Sequence, residues 1–130
     1  MTRGPELVCV FYRLLTKNPP SLDDFKSYAA LGKLPPSQVR NDADFLRRWQ
    51  GLSVYDTLTA AYDLVMARDP KRKRWPCIGV LHIPDDAPII YQGPEAFGHW
   101  NLYDADPVFL KDACLTYILR VEAVADASSD

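Results

Sequence analysis

Arg13 stands among Cys9, Phe11 and Leu15 on one face of the apolar stretch Leu7 to Leu15. A guanidinium in such company has to be paired or open onto a cleft, because burying an unpaired charge is prohibitive. It serves as half of a structural ion pair, as a charged end reaching water, or as an anion clamp. For the last role its five fixed donors suit a diphosphate or a ribose. A second group is Gly51-Leu52-Ser53-Val54-Tyr55-Asp56-Thr57. Extended, it points Leu52 and Val54 toward a core and sets Ser53 and Tyr55 on the other side, roughly 6.5 Å apart along the strand. A hydroxyl beside an aromatic ring lines a sugar or nicotinamide pocket, and a following helix adds its positive N-terminal dipole. The plainer alternative has Ser53 bonded to neighbouring backbone and Tyr55 simply packed. The third group is the glycine-bounded loop Tyr91 to Trp100, which concentrates Glu95, Phe97 and His99. His99 suits acid, base or hydrogen-bond chemistry near neutral pH. Glu95 suits a ribose hydroxyl or a developing positive charge. A turn that merely holds Phe97 and Trp100 over the core accounts for the same residues.

Other residues point away from chemistry. His82, between Leu81 and Ile83, reads as a core or edge-strand histidine. Cys9, Cys77 and Cys114 form no close pair, and with two histidines there is no CxxC or HxxxH, so no metal site is expected. GxGxxG, Walker and GxSxG motifs are missing. The run Lys71-Arg72-Lys73-Arg74 reads as a solvated loop tip, with an anchor for an acidic or phosphate-bearing partner as the alternative.

These residues must be positioned by elements that the pattern marks out. Leu7 to Leu15 predicts a strand apolar on both faces, inside a sheet rather than at its edge. Ser21 would cap a helix from about Leu22 to Leu31, with Asp23 and Asp24 in its first turn and Gly32 as its stop. Asn41 or Asp42 would cap a short helix through Phe45, Leu46 and Trp49, closed by Gly51. Leu52 to Tyr55 predicts a brief strand, and Asp56 or Thr57 the cap of a helix with the stripe Leu58, Ala61, Tyr62 and Val65. Cys77 to Ile83 predicts a strand with Pro88 to Tyr91 as its hairpin partner, and His99 to Tyr103 another. Asp106-Pro107 opens a short helix, and Leu115 to Val124 predicts a closing strand. This order implies an α+β domain with a mixed, largely antiparallel sheet and helices concentrated in the N-terminal half.

The 130 residues, 48% apolar and 25% charged, fit one domain covering residues 1–130. Residues 1–74 carry +5 and residues 75–130 carry −7, so broad nucleic-acid binding is not expected from this acidic second half. No apolar run is long enough to cross a bilayer, MTRGPEL carries no apolar signal core, and the odd cysteine count suits a reducing compartment. A cytoplasmic protein without membrane contact is expected.

Val10-Phe11-Tyr12-Arg13 resembles the arginine strand of ADP-ribosyltransferase-like domains. Gly51 to Tyr55, followed by a helix with Ala60 and Ala61, is similar to the family's second, serine- or tyrosine-bearing strand. His99 to Tyr103 with Asp106-Pro107 resembles its third block. The resemblance spans most of the chain in order. It implies the family's fold and an enzyme that takes NAD as substrate, transferring ADP-ribose to a macromolecule or hydrolysing NAD, as in bacterial toxins. Arg13, Ser53 and Tyr55 would then hold NAD: Arg13 its phosphates, Ser53 ribose or amide, Tyr55 the nicotinamide. Glu95 and His99 would assist bond cleavage. In the third block His99 stands where the family has a glutamate, and Glu95 lies four residues earlier. That departure keeps open a second expectation, a non-catalytic adaptor or toxin–antitoxin-type accessory protein that binds a protein partner.

Overall fold

A computed structural model describes residues 8–128 of the chain, and residues 1–7, including Leu7 of the expected first strand, lie outside that range. Six strands form one antiparallel sheet: β1 Val8–Leu15, β2 Leu52–Tyr55, β3 Cys77–Pro84, β4 Ile90–Gln92, β5 His99–Tyr103 and β6 Leu115–Arg120. Their spatial order is β4-β5-β2-β1-β3-β6, which puts the long first strand inside the sheet. All described pairings are antiparallel. The fold is therefore α+β as expected, with an antiparallel rather than mixed sheet.

Strand alternation sorts the core into two layers. Phe11, Leu15, Leu52, Val54, Leu81, Ile83 and Leu102 pack on one face with Phe25, Leu110 and Cys114. Leu14 and Ile78 pack on the other with Ala61 and Val65 of helix α2 (Leu58–Arg68) and with Val121. Thr57 caps α2 by accepting from Ala60 N at 3.1 Å, one of the two caps expected. Helix α1 (Ala43–Trp49) is capped by Asp42, whose Oδ1 accepts from Phe45 N. Helix α3 (Pro107–Phe109) opens on Asp106 and Pro107 and runs into a π-helical turn, Leu110–Cys114.

Three expectations fail for identifiable reasons. Leu22 to Leu31 forms only a single 3-10 turn, Leu22–Phe25, and Ser21 makes no side-chain cap. Asp24 turns its carboxylate back to Thr16 N (3.0 Å) and Oγ1 (2.7 Å), Phe25 inserts into the core, and Lys26 is extended. Second, β4 is no hairpin partner of β3: both edges of β3 are filled, by β1 and β6, and β4 pairs with β5. Third, the closing strand stops at Arg120, and Val121–Ser128 forms helix α4, burying Val121 beside α2. With α3 and α4 both late in the chain, the helices are not confined to the N-terminal half. Outside both core layers, Tyr28, Trp49 and Phe45 form a surface aromatic stack, the Trp49 ring centroid lying 4.7 Å from that of Tyr28 and 5.6 Å from that of Phe45.

The junction of β1 and β2 decides the shape of the site. These strands share one recorded register pair, Tyr12 opposite Tyr55. Next to that pair Arg13 joins the two strands through its side chain, which reaches Ser53 O.

Candidate functional site

Arg13 shares its sheet face with Phe11 and Leu15, so its side chain starts opposite the face of Ser53 and Tyr55. While its backbone pairs with Gly79 on β3, its side chain reaches backbone carbonyls. Nη1 donates to Ser53 O and Nε to Asp24 O, each at 2.8 Å. Burial pushes its pKa below the ordinary arginine value, while the Tyr28 and Tyr55 phenols and the Asp24 carboxylate pull it back up. The geometry displays a role not among those weighed for this residue, backbone bracing, and the guanidinium also borders a hollow. That hollow, of about 230 Å³, is lined by Arg13, Tyr28, Ser53, Tyr55, Arg68 and Arg74 among others.

A second, larger hollow of about 930 Å³ adjoins it and is lined by Ser53, Tyr55, Glu95 and His99, together with the first turn of α2. Ser53, Tyr55, Leu64 and Arg68 border both hollows. The five residues singled out in the sequence therefore line a two-lobed cleft, with Arg13 in one lobe, Glu95 and His99 in the other, and Ser53 and Tyr55 between.

Within the larger lobe three side chains form a relay. Ser53 Oγ lies 3.0 Å from His99 Nε2, and His99 Nδ1 lies 3.1 Å from Glu95 Oε2. A carboxylate only accepts, so Nδ1 carries the proton. In the neutral imidazole Nε2 is then the acceptor, and the serine hydroxyl donates to it. Arg48 Nε holds the other carboxylate oxygen at 3.2 Å. Strand register explains the meeting: Tyr55 faces His99 and Ser53 faces Asn101 across β2 and β5, so alternate residues share one side. The Tyr55 ring packs against His99 at 5.5 Å between centroids, and burial pushes the Tyr55 phenol up against the opposing pull of Arg13.

The loop before β5 is locked into place. Phe97 and Gly98 have φ of 61° and 70°, and a Cβ on Gly98 would collide with the Asp56 carboxylate. Asp56 N donates to Gly98 O, and Trp100 Nε1 donates to Asp56 Oδ2 at 3.1 Å. This fixes His99 in register and leaves the Phe97 ring 90% exposed at the mouth of the larger lobe.

Sequence reasoning missed Arg48, which lies on α1 and meets Glu95 only through the tertiary fold; nothing local marks it. It also missed Asn101, 1% exposed and opposite Ser53, whose amide atoms have no hydrogen-bond partner among the described residues. The basic run forms a turn as expected, and two of its four cations meet partners among the described residues. Arg72 meets Glu122 at 3.4 Å, and Arg74 donates to Tyr28 Oη at 2.8 Å while stacking on Trp75. His82 is half-buried in β3 opposite Val10. Burial pushes the Cys77 and Cys114 thiols up, which disfavours their nucleophilic thiolates. No helix among the described residues is long and apolar enough to cross a membrane. Compared with known proteins, the chain matches no family model, no curated protein and no solved structure.

Proposed function

We propose that the two-lobed cleft binds NAD and that the protein is ADP-ribosyltransferase-like, transferring ADP-ribose or hydrolysing NAD. The observation that carries this reading is the adjacency of β1, β2 and β5, which bear Arg13, Ser53 with Tyr55, and His99, around one divided hollow. The smaller lobe, with Arg13, Arg68 and Arg74 on its walls, suits the diphosphate. The larger suits the nicotinamide ribose, with Tyr55 against the nicotinamide and Ser53 at its amide or ribose. Cleavage breaks the glycosidic carbon–nitrogen bond, and its electron pair leaves with nicotinamide. The Glu95 carboxylate steadies the cationic sugar, and His99 takes the proton of the attacking water or acceptor hydroxyl.

The test is calorimetric titration with NAD followed by mass spectrometry for free nicotinamide. Binding and release are expected, with release slowed on the order of 10²-fold in Glu95→Gln. No heat and no nicotinamide at millimolar NAD would overturn the proposal. One observation favours a second reading, the non-catalytic adaptor: both Glu95 oxygens are already engaged, by His99 and Arg48. In that case the same titration is silent, and the cleft serves a protein partner.

A further inference from the structure

We propose that Ser53 is a nucleophile, activated by His99 and Glu95, and that the larger lobe cleaves small acyl esters through an acyl-serine intermediate. This activity is separate from NAD chemistry. Three observations point to it together. With the imidazole neutral, the proton order along the relay is directed: Ser53 Oγ donates to His99 Nε2 at 3.0 Å, and His99 Nδ1 donates to Glu95 Oε2 at 3.1 Å. A serine, a histidine and a carboxylate so linked are recognised by geometry and role, whatever fold carries them. Arg48 holds the carboxylate from behind at 3.2 Å, and Gly98 with Asp56 holds the histidine's strand in register. The relay is thus braced at its far end. Finally, the hydroxyl opens on a hollow with Ala60, Leu64 and Ala67 in its wall, apolar ground for a short acyl chain. Thr57, Thr59 and Ala60, at the start of α2, line the same space, so the positive end of that helix borders the lobe and favours an oxyanion formed in it.

The step balances without a cofactor. Ser53 Oγ bonds to the ester carbonyl carbon as its proton passes to His99 Nε2. The tetrahedral adduct then collapses, and the alcohol leaves with that proton. Water repeats the sequence on the acyl-serine, releasing the carboxylic acid and restoring the hydroxyl. Glu95 is a positioning residue, holding the imidazole with Nε2 toward the serine.

The test treats the full chain with a fluorophosphonate and maps the adduct by peptide mass spectrometry, alongside hydrolysis of 4-nitrophenyl butyrate. Ser53 is the expected labelled residue. Ester hydrolysis should fall by on the order of 10²-fold or more in Ser53→Ala and in His99→Gln, each checked for folding by circular dichroism. Glu95→Gln should lower the rate and change the shape of its pH profile, whereas Ser37→Ala, on an exposed turn far along the chain, should label as the parent does. Absence of labelling, labelling at another residue, or an undiminished rate in folded Ser53→Ala would overturn the proposal. The labelling uses no NAD. A chain inert toward NAD that labels at Ser53 retains the nucleophile, and one that releases nicotinamide without labelling lacks it.

Discussion

At the residue scale, Arg13 and Gly98 show how residues outside the relay support it. Arg13 occupies two backbone carbonyls, Ser53 O on β2 and Asp24 O in the 3-10 turn. Arg13→Met keeps the aliphatic stem but removes both bonds, and the expected loss is about 2–3 kcal/mol in denaturant melts. An unchanged melting curve would mean that those carbonyls find water or other donors. Gly98→Ala strains a left-handed position and pushes on Asp56. A loss of at least about 1 kcal/mol is expected, with ester hydrolysis and nicotinamide release falling together because both use His99. Much of this was legible in the chain. A cation among apolar neighbours, a hydroxyl two positions from a ring, and a histidine after a glycine-bounded loop each announce themselves. Arg48 does not, since a surface arginine on a short helix looks the same whether or not a distant carboxylate meets it.

At the element scale, local signals succeeded where capping chemistry is self-contained and failed where a side chain had a better partner elsewhere. Asp42, Thr57 and Asp106 each accept from a backbone N–H just inside the helix they open. Asp24 belongs to a stretch equally helical on paper, but its carboxylate goes to Thr16, eight residues back. Asp69, past the end of α2, organises the basic turn by accepting from Lys73, Arg74 and Trp75 N. The Trp75 bond foremost, with those of Arg74 and Lys73, holds its carboxyl below the usual range against an opposing effect of desolvation. The folded chain therefore binds that proton less readily than the unfolded one. The stabilisation is complete above the unfolded carboxylate pKa of about 4 and is lost as pH falls through the lower folded value. Asp69→Asn should abolish that acid-side dependence and loosen residues 69–76. Parallel melts of parent and variant across the acid range check this, and identical pH slopes would refute it.

At the scale of the whole molecule, strand order was the least legible feature. Alternation reveals which residues are buried but not which strand lies alongside which, and the hairpin expected after β3 went instead to the opposite end of the sheet. The two-layer core makes its own prediction. Cys77 and Cys114 are buried with raised thiol pKa values, and Cys9 is half-buried on β1. A thiol reagent at neutral pH should modify Cys9 first, and the other two only on the timescale of global unfolding. Three equally fast reactions would show that the core breathes open.

With Tyr12 and Tyr55 as the one register pair joining β1 to β2, this sheet is mechanically two blades, β4-β5-β2 and β1-β3-β6, joined there by that pair and the Arg13 bond to Ser53 O, and strapped by α2 and the shared core. Load applied across the strands parts them there first, before any of the other joints yields. An occupant of the smaller lobe, whose walls include Arg13 and Leu14 of β1 and Leu52 and Ser53 of β2, sits astride that joint and touches both blades, so filling it clamps them together. Slower amide exchange at the facing edges of β1 and β2 on filling the cleft would be the signature of that clamp.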